Sequence, residues 1–488
     1  MKYDVCILGS GLGGLECAYI LSKNGMRVCV VEKNAVLGGC LQSFKRKEQT
    51  FDTGFHYVGG LSEGEPLNKL FNYFGLMNLP WVKMDSLFDE IIINNKSYYS
   101  AQGHENFIKC LANEFPYQKE NLKRYIDVLK NVGDNIFDSF NPNTLGLIEN
   151  PLFTRSAKEF LEETITDPLL REILTGGCLK MELHENLPLY TFAQINNSFI
   201  QSAWRLNGDG SLIVNSLADS IKKCGSEIRT NAEVTELIEE NGKICKIIIN
   251  YEETIEADWI ISNIHPSVTI SLIKNSETIR KIYRKRMDSL ENSFGMFTAN
   301  IKLKPNSIPH LNRNQYIYKN ANQWEYTEGT TDRILVNYYG VNDNKFADRI
   351  DLITPMTWNE VKNWADKPIG KRGEDYVQMK QKKAEECIKL ASSVIENLEE
   401  AIDTIYTSTP LSYYTYTNSM QGSAYGVRKD CKNAMQTVLS ARTPLSNLLM
   451  TGQNLNLHGI LGVSMTSCIT CAEILGMNKI LEELGLNN

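Results

Sequence analysis

Gly9, Ser10, Gly11, Leu12, Gly13 and Gly14 form a G-x-G-x-x-G run directly after a short apolar segment, Tyr3 to Leu8. That spacing suits chemistry on a bound dinucleotide. Gly9 permits a tight turn, Gly11 lets the backbone approach a pyrophosphate, and Gly14 lets a following helix pack on its strand. The helix N-terminus then offers free N–H groups and a partial positive charge to phosphate oxygens. Glu32, with Lys33 beside it, closes a second apolar run, RVCVV, 18 residues after Gly14. A carboxylate there accepts from ribose hydroxyls and disfavours a 2′-phosphate. Gly38 and Gly39, six residues past Glu32, predict a second close approach to the same ligand.

Further candidates are single side chains. His56 and Tyr57 lie in FDTGFHYVGG, and His458 lies in NLHGILG. Each histidine can donate a proton or simply orient a ligand. Tyr413, Tyr414 and Tyr416 lie in TPLSYYTYT, read as a strand in which Tyr414 and Tyr416 share a face. Such an aromatic ladder suits a long apolar substrate, although ordinary strand packing is the stronger reading. Cys468 and Cys471 form the one C-x-x-C pair singled out among 12 cysteines. On a helix they share a face, and without partner ligands they read as core, so no metal site is expected.

These residues must be positioned by a large framework. The 488 residues suggest about three domain-sized units. Hydrophobic residues at 42% and charged residues at 22% describe a globular chain, not a disordered one. A net charge of −7 gives no support for nucleic-acid binding. No apolar stretch reaches the length of a membrane span, and the run after Lys2 is too short for a signal peptide. A cytoplasmic location is expected.

Periodicity predicts a strand over 3–8, a helix over 12–24 ended by Gly25, and a strand over 27–31, a βαβ opening. Residues 105–190 read as mostly helical. After NGDGS at 207–211 come a helix (212–224), a strand (227–230) and a hairpin across Asn241-Gly242. A strand over 257–263 stops at His265-Pro266. Residues 267–290 read as one helix carrying Arg280, Lys281, Arg284, Lys285 and Arg286. Strands are expected at 295–303, 333–339 and 447–451, a helical region over 357–398, β-structure over 404–417, and a last helix after GQNLNLHGILG.

The run VVEKNAVLGG after G-x-G-x-x-G resembles the FAD-binding domain of the amine-oxidase and phytoene-desaturase superfamily. FDTGFHYVGG and TGQNLNLHGILGVSMTSCITCAEILG are similar to the branch of phytoene desaturases, carotenoid isomerase and all-trans-retinol saturase. The resemblance implies an α/β fold with a Rossmann-like FAD domain (1–65, 205–265 and 445–488) interleaved with a substrate domain of mixed sheet and helices (66–204 and 266–444). It implies Gly9, Gly11 and Gly14 on the FAD pyrophosphate, Glu32 on the ribose, and Gly38 and Gly39 near the flavin end. Val234 would meet the adenine through its backbone. Gly452 and Gln453 would reach the ribityl–phosphate region, and Gln453 stands where most relatives carry an acid. His458 to Gly462, with Val463, would open a last helix whose dipole stabilises the reduced flavin. His56 and Tyr57 would lie against the flavin ring. Relatives often carry Arg where this chain has Tyr414, which weakens any charge role there.

With one dinucleotide fingerprint, FAD is expected without a separate NAD(P)H domain, and the electron donor or acceptor is not specified. The implied activity is hydride or electron transfer through flavin N5 to carbon–carbon double bonds of a polyene or isoprenoid lipid. Saturation, desaturation and cis–trans isomerisation share that step, and the motif wording leans to saturation or isomerisation. The alternatives are a flavin amine oxidase or fatty-acid isomerase, and, in another class, a prenyl-lipid-binding protein of the Rab GDP-dissociation-inhibitor type. An apolar lipid substrate raises peripheral membrane contact through the basic residues at 280–286, against which a solvated helix face is the simpler reading.

Overall fold

The buried run Lys2–Leu8 cannot leave its backbone groups unpaired, and it finds partners on both edges. In the computed structural model, which describes residues 2–140, 150–320, 322–340 and 345–486, it lies between Val28–Val31 and Glu253–Ser262, parallel to both. Glu227–Arg229 extends one side in parallel, and Leu448–Met450 pairs in parallel with Glu253–Ser262. The antiparallel strands Lys243–Ile249 and Val234–Glu240 complete this seven-stranded sheet. Asn241 and Gly242 both take positive φ (52° and 76°), as a two-residue hairpin turn requires. The first helix, Leu12–Lys23, packs on the sheet and against the last long helix, Gly459–Leu475.

A second seven-stranded sheet runs in the order Ile402–Ser408, Gly295–Leu303, Arg349–Met356, Arg333–Tyr339, Asn314–Tyr318, Leu87–Ile93, Lys96–Ala101. Its pairs are antiparallel except Asn314–Tyr318 with Leu87–Ile93, so the sheet is mixed, as expected. Period-two alternation sorts its faces. Ile334, Val336 and Tyr338 join a core under the helix Glu374–Ser392. Leu335, between them, belongs instead to the core of the helical layer built by His104–Glu114, Lys119–Asp134, Ala157–Thr164, Pro168–Thr175 and Leu189–Gln201. The architecture is therefore α/β, with a dinucleotide-type sheet interleaved in sequence with a mixed sheet and its helices.

Three expectations need correction. TPLSYYTYT is not a strand. The strand ends at Ser408, and Pro410–Tyr416 is a helix whose first turn is set by Pro410 and by a capping box between Thr409 and Ser412. Tyr414 and Tyr416 therefore share no strand face. Residues 267–290 form two helices, Pro266–Ser271 and Lys281–Asp288, because Ser276 accepts from the Ile279 N–H and turns the chain between them. Residues 357–373 are largely turns around Pro368, Gly370 and Gly373, and the long helix begins only at Glu374. Cys468 and Cys471 do share a buried helix face, packed on Cys17 of the first helix. Among the described residues, no helix is long and apolar enough to cross a membrane.

Candidate functional site

The end of the first strand and the start of the first helix meet at the glycine run. Gly9 has φ +91°, and its N–H donates to the Val31 carbonyl at 2.8 Å. A Cβ on Gly14 would lie 2.1 Å from the Gly9 carbonyl oxygen, so only glycine lets helix and strand come this close. Gly11 is the N-cap of the helix and no side chain caps it, which leaves the first-turn N–H groups for a ligand. Gly39 approaches the same turn: a Cβ there would stand 3.3 Å from the Gly11 Cα. Glu32 is tied into this cradle. Its carboxylate accepts from the Ser10 N–H at 2.9 Å, the Ser10 hydroxyl at 2.6 Å and the Asn34 N–H at 2.8 Å. Lys33 pairs with Glu233 at 2.9 Å at the surface.

One cavity runs from this cradle into the second sheet and the helical layer. Gly9, Gly11, Leu12, Gly13, Glu32, Lys33, Gly38, Gly39, Val234, Gly452, Gln453, Gly462 and Val463 all line it, with His56, Tyr57 and His458 farther in. Ser10 and Gly14 shape the turn from behind. Tyr414 does not line the cavity: it is 40% exposed and packs on Trp358, because helical spacing turns it away from buried Tyr413. The Tyr414 assignment is corrected accordingly.

The inner end is built by long-range pairs. Tyr57 stacks on Phe199 at 4.5 Å, and its hydroxyl meets that of Tyr316 at 2.7 Å and donates to Asp89 at 3.1 Å. Burial pushes the Tyr57 phenol well above its usual range, so it holds its proton at neutral pH. Lys180 donates to the same Asp89 oxygen at 3.1 Å and lies 4.4 Å from the Phe199 ring centre. Asn314 donates to the other Asp89 oxygen at 2.7 Å and is itself held by Arg205 at 2.6 Å. His56 Nδ1 lies 3.1 Å from the Tyr339 hydroxyl. Burial, with the Arg205 and Arg349 cations, lowers the His56 pKa to about 4. Burial lowers His458 to about 4 as well, while its Nε2 meets the Lys180 carbonyl at 3.0 Å. Neither imidazole carries a proton to give as imidazolium at neutral pH.

His458 is also the N-cap of Gly459–Leu475, uncapped by any side chain and without an acid in its first turn. A Cβ on Gly462 would meet Leu457 at 2.5 Å, so glycine lets the loop fold onto the helix start. Behind that loop, Lys429 donates to the carbonyls of Thr437, Asn454 and Leu455 within 2.9 Å, and burial lowers its pKa to about 7. Sequence reasoning did not single out Asn263, Asp89, Lys180, Tyr316 or Lys429. Asn263 stands within reach of Cβ positions on Gly11, Gly13 and Gly452 and so shapes the cradle.

The residues present fit FAD: a glycine cradle that a Cβ would fill, two uncapped helix N-termini, an acid in place and an extended cavity. Gly9 to Gly14 would hold the pyrophosphate, Glu32 the ribose, and the Gly452 loop with the last long helix the flavin end.

The sequence model of the family described as flavin containing amine oxidoreductase matches residues 12–354. The chain is 24% identical to all-trans-retinol 13,14-reductase of Danio rerio, over 99% of this chain and 88% of that protein. It is 24% identical to prolycopene isomerase 2 of an Oncidium hybrid cultivar, over 84% of this chain and 73% of that protein. Among solved structures, an oxidoreductase from Methanosarcina mazei superposes with a TM-score of 0.64 at 17% identity, covering 96% of this chain and 99% of that one.

Proposed function

Because the chain belongs to the flavin-containing amine oxidoreductase family, we propose that it is an FAD-dependent oxidoreductase acting on carbon–carbon double bonds of a polyene or isoprenoid lipid, by saturation or isomerisation. The observation that carries this reading is the chemistry of the inner cavity. Leu179, Ile195, Phe199, Leu335 and Leu457 wall it, and Lys180 among them is already paired with Asp89, while the other lining lysine, Lys33, pairs with Glu233 at the surface. Its lining carboxylates, Glu32 and Glu233, stand at the far end beside Val234. An amine substrate, cationic at neutral pH, would meet Lys180 and no free carboxylate, whereas an uncharged chain meets apolar walls. The intact glycine cradle disfavours a lipid-binding protein without flavin. Relatives named for retinol and prolycopene match over most of their length, which supports the polyene class.

When bound, FAD supplies hydride exchange at its N5 edge. The chain's own residues do the rest. Apolar walls hold an extended chain and exclude water. Tyr57 keeps its phenol proton at neutral pH and shares it with Asp89 in a network with Tyr316 and Lys180; turning that hydroxyl from Asp89 to the substrate makes it the donor. Saturation requires such a proton beside the hydride, and isomerisation requires that the hydride or electron return. His56 and His458, uncharged, act as hydrogen-bonding and packing groups.

Substrate entry from a membrane surface is part of the proposal. Arg284 donates to the Ile270 and Ile273 carbonyls and Arg286 to Met435, so both serve the fold. Lys281 and Lys285 stay exposed beside Ile282, which is 76% exposed, and Met435 is 67% exposed. Two apolar tips flanked by cations suit an anionic bilayer surface.

The test is anaerobic. FAD-loaded protein, reduced with dithionite, is mixed with all-trans-retinol or prolycopene. Oxidised flavin absorbance should return as the long-wavelength polyene band is lost, or the polyene should change retention at constant mass. In a parallel assay in air with oxidised flavin, peroxide release from aliphatic amines, with both polyenes untouched in the anaerobic assay, would overturn the reading.

A further inference from the structure

Gln194 in the cavity wall is a buried polar side chain whose chemistry the site described so far does not use. Gln194 lies on the helix Leu189–Gln201, is 2% exposed, and lines the cavity with Ile195, Ser198 and Phe199 of the same helix. Neither its Oε1 nor its Nε2 has a partner in the protein. Four polar residues that line the same cavity have partners of their own: Lys180 with Asp89, Tyr57 with Tyr316 and Asp89, Ser198 with the Ile195 carbonyl, and His458 with the Lys180 carbonyl. Buried amides are almost always hydrogen-bonded, because leaving one unpaired forfeits its hydration without return. A carboxamide presents an acceptor and donors side by side.

We infer that Gln194 is a specificity residue that anchors a hydroxyl group of an otherwise apolar polyene substrate. This rests on the polyene reading and narrows it. One hydroxyl satisfies both ends of the amide, accepting from Nε2 and donating to Oε1. A carboxylate can only accept, which leaves Oε1 orphaned, and the nearby Lys180 is already neutralised by Asp89. A hydrocarbon leaves both ends unpaired. The helix fixes the distance to the reacting region: a Cβ on Gly59, two residues beyond Tyr57, would lie 2.4 Å from the Ser198 carbonyl carbon, one turn past Gln194. The amide therefore sets how far an anchored chain reaches past Tyr57.

The test is equilibrium binding to the FAD-loaded protein, followed by quenching of flavin fluorescence. The probes are all-trans-retinol, its methyl ether and the hydrocarbon of the same carbon skeleton. The wild type should bind the alcohol about 10- to 100-fold more tightly than either analogue. Gln194→Leu should bind all three alike, at the wild-type hydrocarbon level and with unchanged FAD content; Gln194→Met serves if the Leu variant does not fold. Equal wild-type affinity for the three probes would overturn the inference and leave the polyene reading standing. No binding of any probe would remove both. A changed flavin spectrum in Gln194→Met, with alcohol preference intact, would make the flavin the amide's partner and also overturn the inference.

Discussion

In the proposed reaction, Tyr57 is the residue on which the chemistry turns. It is the one cavity-lining hydroxyl placed against a second tyrosine and a carboxylate, and burial keeps its proton in place. Tyr57→Phe should lower saturation turnover by about 100-fold without loss of FAD, since positioned acids contribute on that order. Single-turnover kinetics on the reduced protein checks this, and an unchanged rate would put the proton elsewhere. The histidines make a separate prediction. His56, His184, His265 and His458 all have pKa values lowered to about 4 by burial. Between pH 4 and 6.5 the unfolded chain binds protons that the folded one refuses, so stability is lost as pH falls through that window. Thermal melts from pH 7 to 4.5 should show a steep fall, while the rate–pH profile shows no step near 6.5 from His56.

At the scale of elements, the first helix and the last long helix meet through a buried carboxyl. Glu16 accepts from the Ser464 hydroxyl at 2.6 Å and the Ser467 hydroxyl at 3.0 Å, and burial raises its pKa to about 8. Between pH 4.5 and 8 the folded protein keeps a proton that the unfolded chain has lost. The contribution is therefore full below pH 4.5 and declines as pH rises to 8. Glu16→Gln should remove that decline, with a melting temperature that gains on the wild type from pH 6 to 8. Parallel curves would show that Glu16 is not the group responsible. The sequence disclosed these elements unevenly. The G-x-G-x-x-G turn, Glu32 and the Asn241-Gly242 hairpin were legible because their signals are local. The helix Pro410–Tyr416 was misread because a tyrosine-rich run outweighed the Thr409-Pro410-Ser412 start signal. The split of 267–290 was missed because apolar spacing continues across the Ser276 turn. Asp89, Lys180 and Tyr316 carry no local signal, because they meet Tyr57 and one another across 32, 91 and 259 positions of the chain.

At the scale of the whole molecule, two sheets interleaved in sequence enclose one cavity that is polar and glycine-lined at one end and apolar at the other. With that asymmetry a charged dinucleotide and an uncharged chain can meet end to end, and the dinucleotide's charges stay in the polar half. The surface carries its own prediction. Ile282→Asp with Met435→Asp should abolish sedimentation with anionic liposomes, whereas neutralising Arg284 and Arg286 should cost stability more than binding. Binding unchanged by the aspartates would remove this face from membrane contact.

Polyene-directed activity is decided by lipid extracts from a bacterial host that accumulates a linear polyene, with the wild-type gene, with Tyr57→Phe, and without the gene. Mass and absorbance are recorded together. The expected result is either a product two hydrogens heavier with a blue-shifted band, strongly reduced with Tyr57→Phe, or an isomer of equal mass and altered retention. An unchanged polyene in cells holding flavin-loaded protein would contradict it.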